Sequence, residues 1–377
     1  MKALVPALQR GNAGDDAIAS RGKAAGVRER EPGTSPHPIP SSECSQPAPS
    51  SPLKKRLLQL LTDREFHSGN DLAAHLGISR SAVWKILQEL NARGMELAAV
   101  PGRGYRVTRP LELLDAEAIL ADVSMEARAL LTRLELHDEL DSTNSRLLRT
   151  AAEGAPAGTV CLADTQTAGR GRIGREWCSP FGANLYLSLL WRFDDPLQAT
   201  GLSLAVGVAT VRALERSGIT GVGLKWPNDL LWRERKLGGI LLEVTGEAHG
   251  GCAVVLGLGV NRYLPARWSR QIGQPWIDLH GIAGERLPGR NALIAGLLNE
   301  LLPLLRDYAR FGLRHWLPEW RRHHAWQDRE AVIEQGQVRM HGRIAGVADS
   351  GCLLLRCADG QIREFASGDV RLRTVAD

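Results

Sequence analysis

The sequence lacks cysteines at metal-binding or redox-motif spacing. Its six cysteines (Cys44, Cys161, Cys178, Cys252, Cys352 and Cys357) are scattered through 377 residues, with no Cys-x-x-Cys and no metal-like spacing to histidine. That argues against a disulfide framework or a zinc site, and most of these thiols sit in apolar runs where a reduced cysteine acts as a small hydrophobe. Also missing are an apolar run of membrane-spanning length and a hydrophobic signal region near Met1. The expectation is a soluble, cytoplasmic protein with no membrane partner. Strong charge of one sign is absent too. Lys and Arg number 47 against 42 Asp and Glu, a net +5, which permits nucleic-acid or nucleotide binding without demanding it.

What remains is a chain with 44% hydrophobic residues, long enough for two or three domains. Residues 1–52 are rich in Ala, Gly, Ser and Pro, which cannot bury enough apolar surface to offset their ordering entropy. They are expected to form a disordered extension.

From Leu53 the character changes. Leu53, Leu57, Leu58, Leu60 and Leu61 recur at helical spacing, Ser68 is placed to cap a second helix ending at Gly77, and Ser79 to cap a third over 80–93. A hairpin pattern follows around Pro101-Gly102-Arg103-Gly104. This is a helix-turn-helix with a basic wing. Arg80, Ser81 and Lys85 fall where a recognition helix meets bases and phosphates, with Arg103 and Arg106 adding backbone contacts. A three-helix packing module is the plain alternative.

Further on, Asp141-Ser142-Thr143-Asn144 opens a helix with more capping groups than one helix start needs. It reads either as a redundant cap or as hydroxyls and free N–H groups holding a polar ligand. Next comes a glycine- and arginine-rich stretch, 165–177, between two strand-like runs. It matches Gly-x-Gly-x-x-Gly at Gly169, Gly171 and Gly174, but Trp177-Cys178-Ser179-Pro180-Phe181-Gly182 breaks helices where a dinucleotide fold needs one. A phosphate-binding P-loop is excluded because Arg175-Glu176 stands where that motif has Lys-Ser/Thr. The stretch is therefore read as a cationic loop for an anionic small molecule. Downstream, Lys225 and Lys236 bracket the Pro227-Asn228-Asp229 turn in runs that otherwise read as core. Each suits a snorkelling edge residue. Together with the aspartate they suit a carboxylate, phosphates and a metal. Successive strands joined by short turns imply a mainly antiparallel sheet. A helix over about 292–311 is expected, with Pro303 as a candidate kink, and short alternating runs after 330 predict a small β-barrel.

At this point the sequence resembles the bifunctional biotin protein ligases that also serve as biotin-operon repressors. The resemblance rests on Asp-Ser-Thr-Asn at 141–144, Gly-Arg-Gly-Arg-x-Gly-Arg at 169–175 and Ser-Pro-x-Gly-Ala-Asn at 179–184. Lys-Trp-Pro-Asn-Asp at 225–229, Lys236 and Gly-x-Gly-x-Asn at 257–261 complete the set. It implies an α+β chain in three parts. These are a winged helix-turn-helix over 53–110, a catalytic domain like class II aminoacyl-tRNA synthetases over 111–325, and an SH3-like barrel over 326–377. It also implies the reaction, in which biotin and ATP give biotinyl-5′-AMP and a lysine of the biotin carboxyl carrier protein of acetyl-CoA carboxylase then takes the biotinyl group.

By position, Ser142, Thr143, Asn144 and Gln166 would hold biotin, with main chain from Arg170, Gly171 and Arg172. Lys236 would lie near its carboxylate, and Arg172 and Arg175 would order over the phosphate. Lys225, Asn228 and Asp229 would serve ATP phosphates, Mg²⁺ and the acceptor lysine. Asn261 and Trp276 would face the adenylate, and Asp369 with Arg373 would match an acid–base pair in the barrel. The resemblance further implies operator DNA as a partner and a homodimer when ligand is bound. Glu176 departs from the family, where a basic residue is usual. Two other readings remain: a regulator that senses biotin without transferring it, and a related lipoate or octanoate ligase.

Overall fold

The computed structural model describes residues 52–246, 251–268, 272–335, 338–367 and 370–374. Of the extension expected over 1–52, residues 1–51 lie outside the described residues and Pro52 opens the first helix; Asp369 of the acid–base pair and the side chain of Arg373 also lie outside them.

The first unit is a winged helix. Helices α1 (Pro52–Leu60), α2 (Gly69–Leu76) and α3 (Arg80–Ala92) precede a hairpin of β1 (Leu97–Val100) and β2 (Gly104–Val107). The caps follow the sequence. Ser68 Oγ accepts from Asp71 N, Ser79 Oγ accepts from Ala82 N, and Gly77 closes α2 at φ 66°, where a side chain would be strained. Val83, Leu87 and Leu90 of α3 turn inward onto Leu57, Leu58 and Leu61. Phe181, which belongs to the next domain, is buried in this same cluster, and its N–H donates to Arg93 O at 2.9 Å.

Short helices α4 (Ala116–Ala121) and α5 (Met125–Leu130) lead into the central domain. Its seven-stranded sheet runs β3-β4-β5-β9-β8-β7-β6. These strands are β3 (Arg133–Leu140), β4 (Thr159–Gln166), β5 (Leu185–Phe193), β6 (Val222–Lys225), β7 (Asp229–Trp232), β8 (Arg235–Gly246) and β9 (Cys252–Val260). All pairs are antiparallel except β3 with β4, which are joined by the crossover helix α6 (Thr143–Ala152). Strand β3 was not legible in the sequence, because Asp138 interrupts the short alternation of Leu134, Leu136 and Leu140 and the strand is rich in charge. Charged edge strands of this kind resist mispairing.

One face of the sheet packs on α7 (Leu202–Arg216) and α9 (Arg290–Arg322), with the short α8 (Leu279–Ala283) between them in sequence. The other face packs on α6. The sequence ended the long helix near Phe311 and offered Pro303 as its kink. Instead α9 carries Pro303 and breaks at Gly312, at φ 57° and ψ −168°, and continues to Arg322. Glycine reaches that conformation without steric cost. Trp316 and Trp320 are therefore helical and buried.

The last unit is an antiparallel five-stranded sheet ordered β13-β12-β11-β10-β14. It comprises β10 (Glu330–Gln335), β11 (Val338–Val347), β12 (Leu353–Cys357), β13 (Ile362–Phe365) and β14 (Val370–Thr374). Ala331, Ile333, Leu353 and Leu355 join the core of the central domain. No helix among the described residues is long and apolar enough to cross a membrane.

Candidate active site

A cavity of about 1000 Å³ opens over the middle of the large sheet. Ser142, Thr143, Asn144, Gln166, Arg170, Gly171, Arg172, Arg175, Lys225, Asn228, Asp229, Lys236, Asn261 and Trp276 all line it. Residues up to 134 positions apart in sequence thus converge on one space. Its charged lining comprises five cations, Arg170, Arg172, Arg175, Lys225 and Lys236, against Glu176, Asp229 and Glu234.

One end is a polar cradle. Ser142 caps α6, so the helix start faces the cavity. Gln166 Oε1 accepts from Thr143 N at 2.9 Å and from Thr143 Oγ1 at 3.2 Å, while Gln166 Nε2 donates to Ser179 Oγ at 3.0 Å. Ser188, fully buried on β5, brings its Oγ to 2.7 Å from Thr143 Oγ1 and 2.5 Å from Asn144 Oδ1. These residues are satisfied within the fold and held rigid before any ligand arrives, which favours a ligand of fixed shape.

The other end is charged. Lys236 Nζ donates to Asp229 Oδ1 at 2.6 Å, and Asn228 Nδ2 donates to Ile240 O at 2.6 Å. Lys225 Nζ stands 3.7 Å above the centre of the Trp326 ring. Trp276 reaches the wall because its segment pairs with Lys236. Lys236 N donates to Pro275 O at 2.9 Å, and Ile277 N donates to Lys236 O at 3.0 Å. Asn261 ties the same segment down, its Nδ2 donating to Ile277 O at 3.1 Å.

The glycine- and arginine-rich stretch arches between the two ends as a lid. No helix follows Gly174. The two limbs meet in a bridge between Arg170 and Glu176, and Gly171 N donates to Arg175 O at 2.7 Å. At the tip, Ile173 (φ 55°) and Gly174 (φ 67°) are both left-handed, which is strained for a β-branched residue. Arg172 leaves the lid to donate to Asn228 Oδ1 at 3.2 Å and to Ser367 O of the C-terminal sheet domain. Arg175 is exposed on the rim.

Several contributors escaped the sequence reading. Trp177 lies over the floor so closely that a Cβ on Gly259 would meet its ring at 2.5 Å, and a Cβ on Gly257 would meet Asn144 Oδ1 at 2.2 Å. The Gly-x-Gly spacing at 257–259 was the visible sign of both contacts. Ser188, Glu243 and Trp326 left no such sign. Glu135, His137 and Cys161 bring possible ligand atoms within 4.8 Å of one another. Glu135 is already ion-paired with Arg146 at 3.0 Å, and burial pushes the Cys161 thiol up, so the trio is a packed sheet edge rather than an open ligand set.

The residues read for DNA lie apart from the cavity. Arg80, Ser81 and Lys85 are exposed on α3 around Trp84, itself 51% exposed. On the wing, the Arg103 and Arg106 guanidiniums stack over Phe66, at 4.2 and 4.6 Å from its centre.

Three family models match the chain in order. They are the HTH domain at 53–106, the biotin/lipoate A/B protein ligase family at 137–261 and the biotin protein ligase C terminal domain at 331–373. The bifunctional ligase/repressor BirA of Escherichia coli is 39% identical over 324 residues, covering 86% of this chain and 97% of that relative. The protein of the same name from Bacillus subtilis is 33% identical over 327 residues, covering 85% of this chain and 99% of its own. Among solved structures, the biotin protein ligase from Aquifex aeolicus in complex with biotin and ATP aligns with a TM-score of 0.55 at 28% identity. That alignment covers 65% of this chain and 100% of that one.

Proposed function

The chain belongs to the family of the bifunctional ligase/repressor BirA, and from that membership we propose its reaction: ATP-dependent activation of biotin to biotinyl-5′-AMP, followed by transfer to a lysine of a biotin carboxyl carrier protein. The observation that carries this reading is the single cavity joining a neutral, pre-bonded cradle to a cationic end beneath an arginine lid. Such a space suits a small polar bicycle at one end and a carboxylate beside phosphates at the other.

Each residue has a physical task in that scheme. Ser142, Thr143, Asn144 and Gln166 present fixed donors and acceptors to the ureido group. Lys236 sets the carboxylate against the α-phosphate and offsets charge that grows in the transition state. Lys225 and Asn228 face the phosphates, Arg172 and Arg175 bind the leaving pyrophosphate, and Trp276 with Asn261 borders the adenine. Asp229 holds Lys236 in place and, in the second step, orients the acceptor amine. The closed lid keeps water from a hydrolysable mixed anhydride.

Mg²⁺ arriving with ATP fits this donor set, since the ion takes one or two carboxylates plus phosphate oxygens and Asp229 offers a carboxylate on the wall. Bound there, it would neutralise phosphate charge. The winged helix supports a second role as a biotin-responsive repressor on operator DNA, acting in the cytoplasm as a homodimer once the adenylate is bound. Biotin-dependent ATP–pyrophosphate exchange by the pure protein tests the activation step; no exchange above the biotin-free blank would remove it.

A further inference from the structure

Glu243 does not line the cavity, yet it holds two residues that do. From β8 its Oε2 accepts from Asn144 Nδ2 at 2.9 Å and from Arg170 Nη2 at 2.7 Å. Asn144 is a buried member of the cradle, 4% exposed, and its other amide atom lies 2.5 Å from Ser188 Oγ. It sits so tightly over Gly257 that a single added Cβ would displace it. Arg170 opens the lid, and its backbone bridge to Glu176 makes the two limbs one unit. One carboxylate therefore joins cradle and lid at a point where each is already fixed to its own surroundings. The contact to Arg170 is charge-assisted, the stronger class of hydrogen bond, and the Glu243 side chain is only 24% exposed, which limits screening.

We infer that Glu243 is a positioning residue for biotin activation, clamping the Arg170 limb of the lid to Asn144 of the cradle so that ligand binding and lid closure reinforce each other. The coupling is reciprocal. A ligand bound to the pose in which Glu243 holds Asn144 favours the closed lid, and the closed lid returns the same free energy to ligand affinity. The inference rests on the ligase reading above and adds to it a residue through which the cradle and the lid communicate.

The substitution Glu243→Gln separates the two contacts. The amide oxygen still accepts from Asn144, whereas the charge that holds Arg170 is gone. In the full-length protein, KM for biotin in ATP–pyrophosphate exchange should rise about tenfold, and release of preformed biotinyl-AMP should quicken about tenfold, with kcat changing less than KM. Arg170→Met should do the same. Because both act through one contact, the double variant should be no worse than either single variant, the signature of a coupled pair. A merely structural role predicts additive losses that follow thermal stability, and that result would overturn the inference. So would unchanged KM and release in Glu243→Gln. Wild-type protein that shows no biotin-dependent exchange would instead defeat the ligase reading itself, so the two failures are told apart.

Discussion

Lys236 Nζ and Asp229 Oδ1 are 2.6 Å apart, joining neighbouring strands on the cationic side of the cavity. The ammonium is thus placed and oriented by the protein before any carboxylate arrives, so little reorganisation is left for the reaction itself. Lys236→Met should lower the rate of adenylate formation about 10²–10³-fold, the usual cost of losing one preorganised charge stabiliser. Asp229→Asn should lower it less while slowing transfer to the acceptor more. Single-turnover assays of the two half-reactions check both. Equal losses in both steps for both variants would refute the division of labour.

Arg172 ties the lid to Asn228 Oδ1 and to Ser367 O of the C-terminal sheet domain. Arg172→Gly removes that strut. Biotinyl-AMP should leave the enzyme faster and label exposed lysines on bystander proteins. Streptavidin blotting of a reaction spiked with serum albumin reads this directly, and unchanged bystander labelling would rule out the shielding role.

Gly257→Ala is a subtler probe of the cradle. The new Cβ would fall 2.2 Å from Asn144 Oδ1, so the asparagine must move. Overpacking of this kind costs about 1–3 kcal/mol. Titration calorimetry should show biotin affinity reduced about tenfold or more, because the energy is lost at the ligand's own contacts. An affinity equal to wild type would mean that Asn144 does not contact biotin.

The pH dependence of stability should carry the mark of His324. Burial pushes its pKa down from 6.5 to about 4, its Nδ1 is paired with Gln327 Oε1 at 3.2 Å, and Nε2 is buried without a partner among the described residues. The unfolded chain therefore binds this proton more readily than the folded one. Its contribution is full above about pH 6.5 and is lost as pH falls toward 4, a total loss on the order of 3 kcal/mol. Denaturant midpoints measured across that window should fall more steeply for wild type than for His324→Phe. Parallel curves would mean that this histidine is not the titrating group.

On the DNA side, Arg80→Ala should weaken operator binding and leave biotin transfer intact, since α3 lies outside the cavity. Gel shifts at two salt concentrations should show a shallower salt dependence if Arg80 meets phosphate. Loss of transfer alongside DNA binding would instead report unfolding.

The residues that line the cavity were more legible than some of the elements that carry them. Thr143, Arg172, Asn228, Lys225 and Lys236 announce themselves because each sits in a local pattern with more polar chemistry than the fold needs. The β3 strand did not, since Asp138 falls where its alternation of Leu134, Leu136 and Leu140 needs an apolar residue. Nor did the break in α9, because Pro303 draws attention in the sequence while Gly312 takes the strain-free turn. Ser188 and Glu243 escaped for a third reason. Each is a polar residue set inside an apolar run of its strand, and its value comes only from what folding brings opposite: Thr143 and Asn144 for one, Asn144 and Arg170 for the other. Pairwise contacts across 44–99 positions leave no local signal.

The most direct test of the whole account is transfer itself. Labelled biotin, ATP, Mg²⁺ and a biotin carboxyl carrier domain are incubated with the protein, and label is counted on the acceptor. The account predicts ATP-dependent labelling of one lysine, abolished when that lysine is replaced by arginine. Label that stays wholly on the protein as adenylate, or an acceptor left unlabelled, would contradict it.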